Sequence, residues 1–158
     1  NTYPLQAHAQ VIIDNLDFNT PFEVSLSFKV NSDGSFRNIE VDKSSGIKIL
    51  DESLKNMLVE LSVQEVVFFT NFRAMNIDIV SDGEDNFTFI MTAYFKDDLN
   101  ASTTFFLLTN LLRSAKQNNK NDKETMTFLN NLTMEQDRNL LTLEVRADPQ
   151  FVEKAIQD

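Results

Sequence analysis

The chain has no cysteine and no tryptophan, a single histidine, and only three glycines and three prolines in 158 residues. Without cysteine there are no disulfides, no thiol nucleophile and no Cys-based zinc or iron–sulfur site, while the compartment stays open because cytosolic and envelope proteins can both lack Cys. One histidine leaves almost no material for Ser-His or Cys-His nucleophile pairs. So few glycines and prolines argue against a loop-rich or low-complexity protein. No apolar run reaches the roughly 18–20 residues of a membrane span, and no signal-peptide pattern opens the chain. Because the chain begins at Asn1 rather than Met, it is expected to be a piece of something longer, with an anchor or signal upstream.

Positive charge is also scarce: 14 Lys and Arg stand against 24 Asp and Glu, for a net charge of −10. That field repels phosphate backbones, so a nucleic-acid partner would need a local basic stripe. The nearest approach to one, Lys116, Lys120 and Lys123 among Asn, Gln and Asp, reads as a solvated helix end. What the chain does have is apolar content, 42% of its residues including 14 Phe, which is enough for a packed core carried largely by aromatic side chains.

The clearest stretch runs from Phe22 to Leu61. Val24, Leu26, Phe28 and Val30 alternate with Glu23, Ser25, Ser27 and Lys29, the period of a half-buried strand. Asn31-Ser32-Asp33-Gly34 tolerates left-handed backbone and predicts a reversal into a second strand, Phe36 to Val41. After Ser44-Ser45-Gly46 the apolar residues Leu50, Leu54, Met57, Leu58 and Leu61 fall on one helical stripe that covers the hairpin. In front of it, Leu5, Val11, Ile12, Ile13 and Leu16 predict a short helix through about Leu16, packed beside the hairpin.

Taken in order, the alternating strand, Asp33-Gly34, the strand carrying Ile39 and Val41, Ser44-Ser45-Gly46 and Leu50-Asp51-Glu52-Ser53-Leu54 resemble the C-terminal domain of TonB/TolA-type energy transducers. Tyr3-Pro4, with Ala7 and Ala9 after it, is similar to the Tyr-Pro that opens that domain. The resemblance covers residues 3–61. In that family an aromatic and a Phe-Xaa-Pro segment follow the helix, whereas here Leu61 runs on through Val66-Val67-Phe68-Phe69 to Ile79 without Pro or Trp.

Val63 to Phe72 fits either a buried strand or a continuing short helix, and helix is the expectation. Ile77 and Ile79, the turn Ser81-Asp82-Gly83-Glu84-Asp85, and Phe87, Phe89, Met91, Ala93 and Phe95 predict a second hairpin. Asp97 or Asp98 can cap a helix with Phe105, Leu108, Leu111, Leu112 and Ala115 on its apolar stripe, ending near Gln117. Lys123 to Asn130 is expected to add a helical turn or two, with Met126 and Leu129 inward. Leu132 to Gln136 and Leu140 to Arg146 predict a third hairpin, and Asp148-Pro149 a final helix with Phe151, Val152, Ala155 and Ile156. The expected fold class is α+β: antiparallel hairpins with helices on one face, in two layers, as two small modules at residues 1–62 and 63–158.

No residue stands out as catalytic, cofactor-binding or metal-ligating, and the partner-binding residues cannot be assigned. His8 has no His or Cys partner for a metal and reads as a surface or capping residue. Asp82, Glu84, Asp85, Asp97 and Asp98 sit in predicted turns and caps, where carboxylate pairs are solvated. Asn31 and Asp33, and separately Asp82, Glu84 and Asp85, offer hard oxygens for calcium but lack EF-hand spacing. Asn86, Asn100 and Asn131 match the glycosylation acceptor pattern, a match that abundant Asn, Ser and Thr produce by chance. Phe105 and Phe106 suggest core packing before a binding groove.

The expectation is therefore a non-enzymatic protein-interaction domain without cofactors. The resemblance implies a periplasmic location, tethered through a missing N-terminal segment, and a cell-envelope partner such as an outer-membrane receptor. β-Augmentation is the mechanism such a sheet permits. A structural or assembly subunit of an envelope complex, and a carrier of a small apolar ligand between sheet and helices, are the alternatives.

Overall fold

The computed structural model describes residues 3–17, 19–84, 86–148, 150 and 154. Along them run helix α1 (Tyr3–Asn15), strands β1 (Phe22–Val30) and β2 (Phe36–Lys43), helix α2 (Lys48–Val63), a 3-10 turn (Val67–Asn71), strands β3 (Phe72–Ser81) and β4 (Phe87–Phe95), helices α3 (Asp98–Asn118) and α4 (Lys123–Asn130), and strands β5 (Leu132–Asp137) and β6 (Leu140–Ala147). The strands make one antiparallel sheet in the order β2-β1-β3-β4-β6-β5. With helices on one face, this is the expected two-layer α+β architecture.

Register shows why the alternation in the sequence works. Phe28 faces Met75, Met75 faces Ala93, and Ala93 faces Leu141, so one cross-strand row delivers four buried side chains to the helix side. The next row, Ser27, Asn76, Thr92, Thr142 and Glu135, points to the other face, which is polar. Leu58 of α2 and Ala101 of α3 close the same core from above.

All three expected hairpins form. The sheet also runs across the boundary expected between residues 62 and 63, because β1 pairs with β3 from Phe22–Ser81 to Lys29–Ala74. Each long connection skips a strand: β2 and β3 lie parallel with β1 between them, and β4 and β5 lie parallel with β6 between them. The first helix packs chiefly along α2, burying Ala9 and Ile12.

The ambiguous stretch after Leu61 resolves into two pieces. Helix α2 stops at Val63, where the amides of Gln64 and Glu65 bond back to the carbonyls of Leu61 and Ser62, and Glu65 adopts a left-handed φ of 47°. The chain then makes the 3-10 turn, which places Phe69 and Phe72 over the end of the sheet. Phe28 stacks on Phe36 at 4.2 Å, Phe36 meets Phe69 at 5.3 Å, Phe69 meets Phe72 at 5.8 Å and Phe72 meets Phe95 edge-on at 4.7 Å. This run of rings crosses from β2 to β4 and seals one end of the core.

The start of α2 is anchored from outside its cap position. Its cap position, Ile47, offers no side-chain bond; instead the buried Asp51 carboxylate in the first turn accepts from the Ser44 hydroxyl, the Ser45 amide at 3.0 Å and the Ser45 hydroxyl at 2.6 Å. Burial pushes this carboxyl up, but the bonds from Ser44 and Ser45 outweigh it and hold it below the ordinary 3.8. A lowered folded-state value means that Asp51 contributes stability fully above pH 3.8 and loses it as pH falls through the lowered value. Asp51→Ala should remove about 1–3 kcal/mol by leaving the serine donors unpaired. It should also flatten the acid limb of the stability curve below that pH, a change that urea titrations at pH 7 and pH 3 would detect. Equal losses at both pH values would mean that the charge plays no part.

Of the final helix expected after Asp148, Pro149, Phe151, Val152, Ala155 and Ile156 lie outside the described residues.

Candidate interaction surfaces

The charged and polar residues that the sequence brings forward are occupied locally. Asp33 accepts from the Ser35 hydroxyl and amide in the β1–β2 turn, and Asn31 donates to Ser35 and accepts from Arg37. Asp82 holds the β3–β4 turn through the Asn86 side chain at 2.8 Å and the amides of Glu84 and Asn86. These bonds keep both carboxyls below the ordinary value, led by the Ser35 hydroxyl for Asp33 and by the Asn86 side chain for Asp82. Of the two cap candidates it is Asp97 that serves α3, accepting from the Asn100 amide at 2.7 Å. Asp122 does the same for α4 through Thr125. Asp85 lies outside the described residues. Among the described residues no three His, Asp or Glu converge on a metal-sized space. His8 sits half-buried on α1.

The Phe105-Phe106 pair splits. Phe105 packs against the core, whereas Phe106 is 70% exposed on α3, together with Leu99, Leu107 and Leu111. The predicted stripe thus loses Leu111 to solvent. Among the described residues, two of the spaces beside the fold can be placed. One of about 20 Å³ lies under α1 and α2, between Ile12, Leu16, Phe22, Val24, Leu50, Leu54, Ile79 and Phe87. The other, about 300 Å³, lies beside α4 and the end of β6, where Phe128 and Ala147 meet Glu124, Arg146, Asp148 and Lys154 in a wall of mixed character.

The outer strands differ in kind. β2 is irregular: its register with β1 shifts twice, Asn38 takes a left-handed φ of 53°, and Arg37, Glu40, Asp42 and Lys43 line it with charge. Bulges and mixed charges blunt an edge against further pairing. At the other side β5 pairs with β6 without a shift, from Leu132–Val145 to Asp137–Leu140, and is the last strand in the sheet. Its Leu132, Met134 and Gln136 are half-buried, while Thr133, Glu135 and Asp137 are exposed.

Helix α3 lies alongside β5. The Gln136 side chain donates to the Ser102 hydroxyl at 2.8 Å, tying the last turn of the strand to the first turns of the helix. At the same end, the Phe95 amide donates to the Asn139 carbonyl at 2.8 Å and the Asn139 side chain returns a bond to the Phe95 carbonyl. The β5–β6 turn is thereby locked to the point where β4 passes into α3.

Alternation in the sequence identifies β5 as a strand but carries no record of its neighbours. Its outermost position follows from β6 pairing with β4, and the third hairpin by itself holds no signal of that. The Asp51 anchor had a faint one: two adjacent serines just ahead of an acidic residue in a first helical turn.

Comparison of the chain with protein-family models, curated proteins and solved structures gives no match.

Proposed function

We propose that the chain is a non-catalytic protein-interaction domain of the bacterial envelope that receives an extended segment of its partner as an added strand. The observation that carries this reading is a sheet ending in a regular, unbulged strand, β5, whose outer backbone groups are unpaired among the described residues. The periplasmic setting, the upstream anchor and the outer-membrane or envelope-complex partner rest on the TonB/TolA-like order of motifs over residues 3–61. The domain performs no chemistry on this reading and uses no cofactor; Asp33 and Asp82 serve turns, and Asp97 and Asp122 serve helix caps.

A second reading, an assembly subunit of an envelope complex, is favoured by the exposed apolar residues on the outer side of α3. A pull-down from envelope extract with the 1–158 chain, followed by peptide mapping, separates the two. Retention of one extended segment, lost in a folded Met134→Pro variant, supports strand addition. Retention of a multi-subunit assembly, indifferent to that proline and lost with Phe106→Ser and Leu107→Ser, supports the assembly role and sinks strand addition.

A further inference from the structure

Ser102 is bonded to Gln136, and Phe106 stands one helical turn further along the same side of α3. The β5–β6 turn meets the start of α3 through Phe95 and Asn139, so advancing along α3 retraces β5 from Gln136 toward Leu132. Phe106 is thus the outer wall of a strip whose floor is the open edge of β5, with Met134 half-buried on the helix side. A side chain on the helix side of an added strand would cover two apolar groups that water now reaches.

The other side of the strip has a different chemistry. Thr133, Glu135 and Asp137 point to the open face of the sheet, and next to them on β6 the Glu144 carboxylate already engages Arg146 at 3.8 Å. Cross-strand neighbours of opposite charge stabilise pairing and like charges oppose it. A second copy adding through its own β5 would set Glu135 and Asp137 against their equals. The net charge of −10 opposes self-pairing further.

We propose that the groove between β5 and α3 binds an extended peptide with alternating apolar and basic residues, the apolar ones against Phe106 and Met134 and the Lys or Arg side chains opposite Glu135 and Asp137. This rests on the strand-addition reading and adds to it the edge and the peptide class.

The probe is a labelled hexapeptide alternating Lys and Val, with a Glu-Val counterpart and a Lys-Val version N-methylated at every residue, so that neither of its edges can donate to a ladder. Amide shift mapping and fluorescence anisotropy at low salt are read on the 1–158 chain. The expected result is perturbation of Leu132 to Asp137 and of Phe106, with roughly three- to tenfold weaker binding of the Glu-Val peptide and loss with N-methylation. The double variant Glu135→Lys, Asp137→Lys, both at exposed positions, should reverse the preference between the two peptides, and Phe106→Ser should weaken both. Shifts confined to β2 overturn the assignment of β5 while leaving strand addition standing. Binding that survives N-methylation overturns both, because no backbone ladder is then being made. The absence of shifts with every peptide overturns the groove, and the pull-down then decides strand addition separately.

Discussion

Replacing Phe95 by alanine is expected to cost about 3–5 kcal/mol, the range for deleting a buried aromatic ring. Phe95 is 0% exposed and packs edge-on against Phe72, itself buried and linked through Phe69 to Phe36 and Phe28. Removing it opens a void at the end of the ring series, and the rigid strand backbone on both sides limits how far the site can collapse. The backbone bonds of this residue to Asn139 are kept by alanine, so the expected loss is that of the ring. For a domain of ordinary stability, roughly 5–15 kcal/mol, such a loss leaves little reserve at 37 °C. Phe106→Ala supplies the internal comparison, because its ring is already in water. Urea midpoints for the two variants should differ by most of the full effect; a Phe95→Ala loss below about 1.5 kcal/mol would show that the rings do not form a tightly packed series.

Gly34→Ala should be the second most damaging change among those considered. Gly34 closes the β1–β2 turn with a φ of 90°, and a Cβ placed there meets the carbonyl oxygen of Val66 at 2.6 Å. Val66 directly precedes the 3-10 turn, so the obstacle is backbone that cannot rotate aside. Left-handed backbone alone costs a non-glycine residue about 1–2 kcal/mol, and the collision raises the expected loss to about 2–4 kcal/mol. Gly46 isolates the difference: its φ is 86°, yet nothing lies within 4 Å of the place an alanine methyl would occupy. Gly46→Ala should therefore show the conformational part alone, about 1–2 kcal/mol. Equal losses at the two glycines, by thermal or urea denaturation, would mean that the hairpin tip shifts freely away from Val66.

Much of this architecture was readable in advance, and the reasons are specific. Where one face of a strand is buried and the other wet, as at Val24 to Val30 and Leu141 to Val145, side-chain period alone identifies the element and its inward face. The Asp97 cap and the Asn31–Gly34 reversal depend on bonds between near neighbours, which short stretches of sequence encode. The Val66 to Phe69 run resisted because four apolar residues in a row have no period. Its outcome was decided by rings from distant strands and by Glu65 stopping α2. The strip beside β5 was invisible for a related reason. Phe106 looks like its neighbour Phe105 until the helix is rotated against the sheet, and Glu135 and Asp137 look like ordinary surface charge until β5 is known to be outermost.

The two skipped-strand connections have a kinetic consequence. The hairpin contacts can form early and locally, but the pairings that weld them together, Phe22 with Ser81 and Phe87 with Ala147, join positions far apart along the chain. Closing those loops orders much of the intervening chain before the ladder rewards it. The domain should therefore fold at the pace of its long-range pairings rather than of its hairpins. Until β1 finds β3 and β4 finds β6, these four strands carry open inner edges, so nascent chains are most exposed to mispairing before the sheet is joined.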